Sequence, residues 1–569
     1  MHDSAGLNDL PQIKWQHMTN TTATAEKFLF VFLICLLIGL YCWCLVFIAI
    51  DVNGTTYYLL QDDPMIAMRY AYNFAHGTGL VFNSGEQVQG YTNLGFTLLM
   101  ALVHCFGLPQ TINSLIVQLL NLVVVLALMV LLYLHFRKCD RPRVALWVAA
   151  LVAFNASIFT YAVCGWETPL QALLVTAAVL GCVPVSLSQT KCGSLPPFAP
   201  FLCALAAFVR LDAIIPFVVV SAYKTGEVFF STDWPFKRDR NTEDPEYSER
   251  RAEFKKLFFW LSASALCFLL IFAFQKIYYG DWLPNTYFLK ASADARSSLG
   301  NSFRLNYFKE FFVDRLYIVP LLCSFTYLTL GMRNAVIRKP CLLIMSLLAI
   351  WVGFVYWVGG DCFKLGRFFI MIIPIMEICT VLLIAEIWTW AQPRPFMFRS
   401  CSTLVVLLIC IQQAVCAFDG LSLLFSVRND NKRAIDAWNA LKQAQLPAGA
   451  LIGVFRAGTV PYLMPDMRFH DLLGKCDRTI AHTKAKVGAP GHCKWDYDYS
   501  LGVIKPTVII AEDYDNTTPE SLTKLIEEKT PFSFIPNLWF NEHFQKHYLP
   551  NLLPTEKRDY GRYWILFYR

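Results

Sequence analysis

The chain has 569 residues, 56% of them hydrophobic and 16% charged, and a mean hydropathy of +0.43, which excludes a soluble protein of this size and points to a polytopic membrane protein. The net charge of +7 sits mainly in short loops between apolar segments, with no basic stripe interleaved with aromatics, so it reads as an orientation signal and nucleic acid is excluded as a partner. Most of the 19 cysteines, among them Cys35, Cys42, Cys44, Cys267 and Cys410, fall in apolar stretches, and no CxxC pair or Cys/His set stands at structural-zinc spacing.

Residues 1–27 form a polar, cytoplasmic tail without a basic n-region before Phe28, and no small-residue cleavage site follows, so the first apolar run is expected as an uncleaved anchor. Stretches long enough to span, about 17 to 25 residues each, fall near 28–50, 112–136, 144–160, 168–185, 257–279, 317–332, 341–358, 367–388 and 400–418. The stretch 196–223 is interrupted by Arg210-Leu211-Asp212 and reads as two short helices meeting at a polar corner. The expected fold is therefore a polytopic α-helical domain over 28–418 with about 11 transmembrane helices, followed by a C-terminal α/β domain over 419–569.

With the N-terminus inside, the basic clusters Arg137 to Arg143, Lys224 to Lys256, Arg333 to Lys339 and Arg394 to Arg399 all fall on the cytoplasmic side, provided Leu94 to Leu108 lies along the interface. The same parity sends Asp62-Asp63, Gly165-Trp166-Glu167, Arg210 with Asp212, Gly280-Asp281-Trp282 and Gly359-Gly360-Asp361 to the extracytoplasmic face. Five polar signatures on one face read as one site built from several loops, the first being 51–111; short polar loops are the bland alternative. In the C-terminal domain, Asp430 to Gln443 has the spacing of an amphipathic helix, and Ala450 to Phe455 and Pro506 to Ala511 read as short buried strands.

Asp62 and Asp63 are adjacent, so their carboxylates point in different directions and do not share one task. A general base that deprotonates an acceptor hydroxyl, a ligand for a divalent cation and a helix N-cap before Pro64 are the open roles. Arg69, six residues on, either pairs with Asp63 or reaches a lipid phosphate. Arg210 needs a counter-charge; Asp212 is too near to face it on one helix, and a phosphate would serve. Lys364 and Arg367, in the Gly-rich segment with Asp361, either snorkel or hold phosphate. Asp281 stands among aromatics suited equally to stacking on a sugar and to interfacial anchoring. His470 and His492 read as metal ligands or as ordinary hydrogen-bonding groups, and Cys476 and Cys493 as a disulfide pair if the compartment is oxidising.

Asp62-Asp63 with Arg69-Tyr70-Ala71, Asn73, Gly77, Gly79, Asn83, Gly85-Glu86 and Gly90-Tyr91-Thr92-Asn93 resembles the first-loop signature of GT-C superfamily membrane glycosyltransferases of the mycobacterial AftB-like arabinofuranosyltransferase type. Trp166 to Leu170, Arg210-Leu211-Asp212, Gly280 to Tyr287, Gly359-Gly360-Asp361 with Gly366-Arg367-Phe368, Arg456-Ala457-Gly458 and Gly491-His492 with Lys494 follow in family order, over about residues 28–510. Two positions depart from the pattern: Gln89 stands where relatives commonly have Glu, and Leu211 where they have Pro. The resemblance implies an inverting transferase of the bacterial plasma membrane. It would move a sugar, arabinofuranose in the named type, from a polyprenyl-phosphate donor to a glycan, lipid or protein acceptor on the extracytoplasmic face. Asp62 and Asp63 carry the catalytic carboxylate by this reading, with Asp62 as base. Arg69, Arg210, Lys364, Arg367, Asp281, Asp361, Glu167 and His492 are the expected donor-phosphate and substrate contacts. No cofactor is assigned, and a divalent cation is left open. A transporter or flippase of lipid-linked sugars is the alternative class, which would place its polar residues near the bilayer midplane in repeated, discontinuous helices.

Overall fold

The computed structural model describes residues 12–190, 193–229, 245–391, 396–486, 489–512, 538, 541–552 and 564–569. The basic segment expected between 224 and 256, and that between 394 and 399, lie partly outside these residues. A long apolar helix, α1 (Gln12–Ile48), leads into a two-stranded hairpin, β1 (Ile50–Val52) and β2 (Thr55–Tyr57). Asn53 and Gly54 both take positive φ at its turn, the conformation that two-residue hairpins require and that Asn-Gly adopts most readily. There follow α2 (Asp62–Ala75), α3 (Leu94–His104), α4 (Gln110–Lys138), α5 (Pro142–Ala153), α6 (Ala156–Val163) and α7 (Thr168–Val179). Next come α8 (Ala199–Val209), α9 (Ile214–Phe229), α10 (Pro245–Phe274), the short α11 (Asn285–Lys290), α12 (Ala293–Ser298) and α13 (Asn301–Phe308), and then α14 (Ile318–Gly331), α15 (Arg338–Val358), α16 (Ile373–Ala391) and α17 (Phe396–Gln443).

Six described helices are long and apolar enough to cross a membrane, and two bent pairs, α5 with α6 (48°) and Asn301–Asp314 with α14 (79°), raise the number to eight. Among the described residues the expected eleven is not reached. The stretches at 168–185 and 196–223 fold into α7, α8 and α9, and α7 and α8, at 1.5 Å per residue, cover roughly 16 to 18 Å against a hydrocarbon core of about 30 Å. The polar corner at Arg210 is present: α8 stops there, Arg210 is extended, and a 3-10 turn over Leu211–Ala213 starts α9. The bend between α5 and α6 has a local cause, since the Asn155 side chain accepts hydrogen bonds from Ser157 and Ile158 N–H and starts a new helix.

The composition change at Asp419 is not a break in the chain. α17 runs straight through it for 48 residues, and the amphipathic segment Asp430 to Gln443 is its last part. Beyond it lie β3 (Leu451–Val454), α18 (Thr459–Leu463), β4 (Arg468–Asp471), α19 (Arg478–His482), β5 (Val508–Glu512), α20 (Glu542–His547), β6 (Leu549–Leu552) and β7 (Trp564–Tyr568). The five strands form one sheet in the order β4-β3-β5-β7-β6, with β3 parallel to both β4 and β5. This is the expected α/β character. One apolar core lies within the helical bundle. A second, through Met65, Tyr70, Phe82, Ile452, Val454, Tyr462 and Phe469, joins α2 and the loop after it to the sheet, so first loop and C-terminal region pack as one body.

Candidate active site

Asp62 and Asp63 open α2, where their charge faces the positive end of the helix dipole. Their side chains diverge. Asp62 turns to the sheet, its Oδ1 accepting a hydrogen bond from Thr459 N–H at 3.2 Å. It lines a pocket with Asp430 and Asn431 of α17, Val454, Phe455 and Arg456 at the end of β3, and Ile510 of β5. Because β3 has β4 on one side and β5 on the other, this is the crevice at the carboxyl ends of parallel strands where α/β sheets bind ligands. The approach needs a glycine: a Cβ on Gly458 would lie 2.0 Å from the Asp62 carbonyl oxygen and 2.6 Å from Oδ1. Burial pushes the Asp62 carboxyl above the usual range, and Lys475 and Arg456 only partly offset it.

Asp63 points the other way, onto two ammonium groups. Lys475 bonds its Oδ1, and Lys290 lies 3.6 Å from Oδ2. Burial works against its charge, but the two lysines prevail and hold the carboxyl well below the usual range. For Lys475 the balance is the mirror image, burial being outweighed by Asp63 and Asp62, so it stays charged. His492 belongs to the same cluster. Burial, reinforced by Lys475, pushes it down to about 3 and keeps it neutral. Its neighbour Gly491, at φ +83, leaves room for the Lys290 stem, since a Cβ there would be 2.8 Å from Lys290 Cε.

A second charged layer abuts this one through Gln61, which accepts the Trp166 indole N–H at 2.7 Å. Arg367 pairs with Asp361 and stacks on Trp166, its guanidinium carbon 3.9 Å from the ring centroid. Arg210 bonds Glu167 and Asp212, each at 2.7 Å; Asn93 and Gln171 donate to those carboxylates in turn. The expectation that Asp212 stands too near Arg210 to pair with it is overturned, because Arg210 is extended rather than helical and the chain folds back on it. Both arginines are buried and internally neutralised. Lys364 is exposed at the edge of this layer, with its backbone carbonyl taken by the Tyr161 hydroxyl.

Two expected site residues lie elsewhere. Arg69 does not pair with Asp63. It is buried, donating to the carbonyls of Phe82, Pro461, Met464 and Met467, and thereby ties the C-terminal end of α18 to the first loop. Asp281 pairs with Arg478 at the surface. Cys476 and Cys493 are free thiols rather than a disulfide: Cys493 Sγ meets the Leu289 carbonyl at 3.7 Å, and Cys476 packs beside Gly90. His470 bonds the Ser500 hydroxyl at 2.9 Å and sits 3.6 Å from Asp477, apart from His492's cluster. Among the described residues no three His, Cys, Asp or Glu side chains gather as a metal site, and the Asp63 oxygens face ammonium groups. Lys290, Lys475 and Arg456 are the site cations that sequence reasoning passed over. Arg456 stood inside a noted motif and Lys290 three residues past the Gly280 to Tyr287 run, whereas Lys475 had only its place beside Gly474, at φ +79, soon after His470.

No protein-family model matches the sequence, and no curated protein matches it. Among solved structures, ArnT from Cupriavidus metallidurans bound to undecaprenyl phosphate aligns with a TM-score of 0.51 and 13% identity over 94% of this chain and 97% of that one. The same protein in the apo state aligns with a TM-score of 0.51 and 15% identity over 96% and 98%. An oligosaccharyltransferase from Archaeoglobus fulgidus, in complex with Zn and sulfate, aligns at a TM-score of 0.48 and 10% identity, covering 92% of this chain and 73% of that one. The chain shares the fold of ArnT and is a helical multi-pass membrane protein with six to eight candidate spans among the described residues.

Proposed function

We propose that the chain is a GT-C glycosyltransferase that moves a sugar from a polyprenyl-phosphate donor to a hydroxyl of a glycan, lipid or protein acceptor. The reaction takes place on the extracytoplasmic face of the bacterial plasma membrane. The observation that carries this reading is the divergence of the two aspartates. Asp62 lines a small pocket and has a raised carboxyl pKa, while Asp63 is neutralised by Lys290 and Lys475. Asp62 thus holds the base, and the ammonium pair beside it supplies the positive field for a departing phosphate.

In this mechanism the acceptor hydroxyl oxygen attacks the anomeric carbon as its bond to the phosphate oxygen breaks, with inversion. Asp62 takes the hydroxyl proton, and the lipid phosphate leaves toward Lys290 and Lys475. Asp63 keeps both lysines charged and in place, and Arg456 borders the acceptor side of the pocket, 3.4 Å from Asp430. The buried Arg210–Glu167–Asp212 and Arg367–Asp361 sets act as the rigid floor of the site, and Lys364, exposed at its edge, is placed to meet the donor. The sugar, on the resemblance, is arabinofuranose.

The test is to incubate the purified protein with a panel of polyprenyl-phosphate sugars and measure released polyprenyl phosphate. D62N is expected to lose turnover while retaining its unfolding transition. Full turnover by D62N, or no donor consumed by the wild type, overturns the proposal.

A further inference from the structure

α15 ends at Val358, with Gly359 in the left-handed conformation, and two short helices, α12 and α13, each bring an arginine to this end. The Arg296 guanidinium stacks on Trp357, 3.8 Å from the ring centroid. Arg304 donates from Nη2 to the Arg296 carbonyl at 2.8 Å, and its Nε would lie 3.7 Å from a Cβ on Gly359. The Nε atoms of both are closed off from solvent and have no hydrogen-bond partner. Among the described residues neither arginine has a carboxylate within ion-pair distance.

The carboxylates of the neighbourhood are committed. Asp294 takes the Ala485 N–H and lies 3.7 Å from Lys494, Asp361 takes Arg367, Glu310 takes Arg315, and Asp314 takes Lys309. Two guanidinium groups held together without counter-charge repel each other. The carbonyl end of α15 offsets only part of this, and that effect is confined to the last turn. A planar guanidinium fork matches the oxygens of a phosphate. Trp357 is half exposed, with Tyr356 and Leu305 exposed beside it, at the end of an apolar helix long enough to span; this is the setting of an aromatic belt at headgroup depth.

We infer that Arg296, Arg304 and Trp357 form a phosphate-binding site at the bilayer surface, separate from the ammonium pair at Asp63. The ligand chemistry is a phosphate group, borne by a lipid or free. The test uses the purified full-length protein in maltoside micelles, which contain no phosphate. It is titrated with dioctanoyl phosphatidic acid and, separately, with inorganic phosphate, and binding is read by calorimetry. The wild type is expected to bind the lipid, and R296Q/R304Q to lose about tenfold or more in affinity. R338Q, at the opposite end of α15, is expected to bind as wild type. R304Q alone leaves the Arg296–Trp357 stack in place and keeps the test informative if the double variant fails to fold; it should weaken binding by about threefold. Loss of lipid binding without detectable inorganic phosphate binding assigns the site to a headgroup, and equal loss of both assigns it to phosphate from either source. Unchanged affinity in both variants overturns the inference, as does an absence of binding by the wild type.

Discussion

Replacing Gly458 by alanine tests the central contact of the site with a single methyl group. That methyl would sit 2.0 Å from the Asp62 carbonyl oxygen and 2.6 Å from Oδ1, where ordinary contacts begin near 3.4 Å. The nearest obstacle is backbone, which cannot swing aside as the carboxylate could. The start of α2 and the turn between β3 and α18 must therefore separate by roughly 1 Å, a displacement that costs on the order of a hundredfold in rate when it moves a catalytic group. Overpacking of this kind also costs about 1–3 kcal/mol of stability. The assay is the release of polyprenyl phosphate under saturating donor, alongside a thermal unfolding curve. Gly353 is the control, because nothing lies within 4 Å of its Cβ position on the exposed side of α15, and G353A should leave turnover unchanged. A G458A protein with wild-type turnover would refute the placement of Asp62 against the turn as a condition of activity.

D62N should lower turnover by about 10²- to 10⁴-fold, the range for loss of a general base, with an unchanged unfolding midpoint. In the wild type the acidic limb of the pH–rate profile should lie above the ordinary carboxylate range, since burial raises the Asp62 pKa and protonation removes the base. Lys475→Met breaks a largely buried pair and should cost about 3 kcal/mol in a denaturant titration; D63N/K475M should recover part of it. Arg69→Lys loses the fork that spans several carbonyls and should cost roughly 2–3 kcal/mol, while the remaining folded protein keeps its KM for donor. His492 and His470 are held down, to about 3 and about 4, so the unfolded chain binds protons that the folded one refuses as pH falls below about 6.5. Stability from these two groups is complete above that pH and is lost on acidification, while the raised carboxyls of Asp62 and Asp477 act in the opposite sense, so the check is the difference: between pH 7 and pH 5 the melting temperature of H492Q should rise relative to that of the wild type.

Local chemistry made part of this site readable in advance. Asp-Asp-Pro announces the start of α2, Arg210-Leu211-Asp212 marks the corner between α8 and α9, and the two apolar runs around Ile452 and Ile509 become neighbouring strands. What spacing cannot express is contact across the chain. The partner of Asp63 is Lys475, 412 positions away, and nothing around either residue names the other. Arg69 illustrates the same limit: its interval from Asp63 describes a helix face, whereas its hydrogen bonds reach carbonyls beyond residue 460. The span count among the described residues differs for another reason, because apolar helices of 11 or 12 residues inside a bundle look like spans to a hydropathy window. Arg210 and Asp212 pair because the backbone between them is not helical, which the rule for helix neighbours does not cover.

The 48-residue α17 joins two environments with one continuous rod of about 72 Å. Its apolar part carries Gly420 against Thr160 of α6, and its far part carries Asp430 and Asn431 into the wall of the Asp62 pocket. A rod does not stretch, so the depth at which the bilayer holds its lower half sets the height of the pocket wall. Lipid chain length thereby becomes a variable of the chemistry: thinner or thicker membranes tilt or shift α17, and the cost of that mismatch is met at the acceptor side of the site.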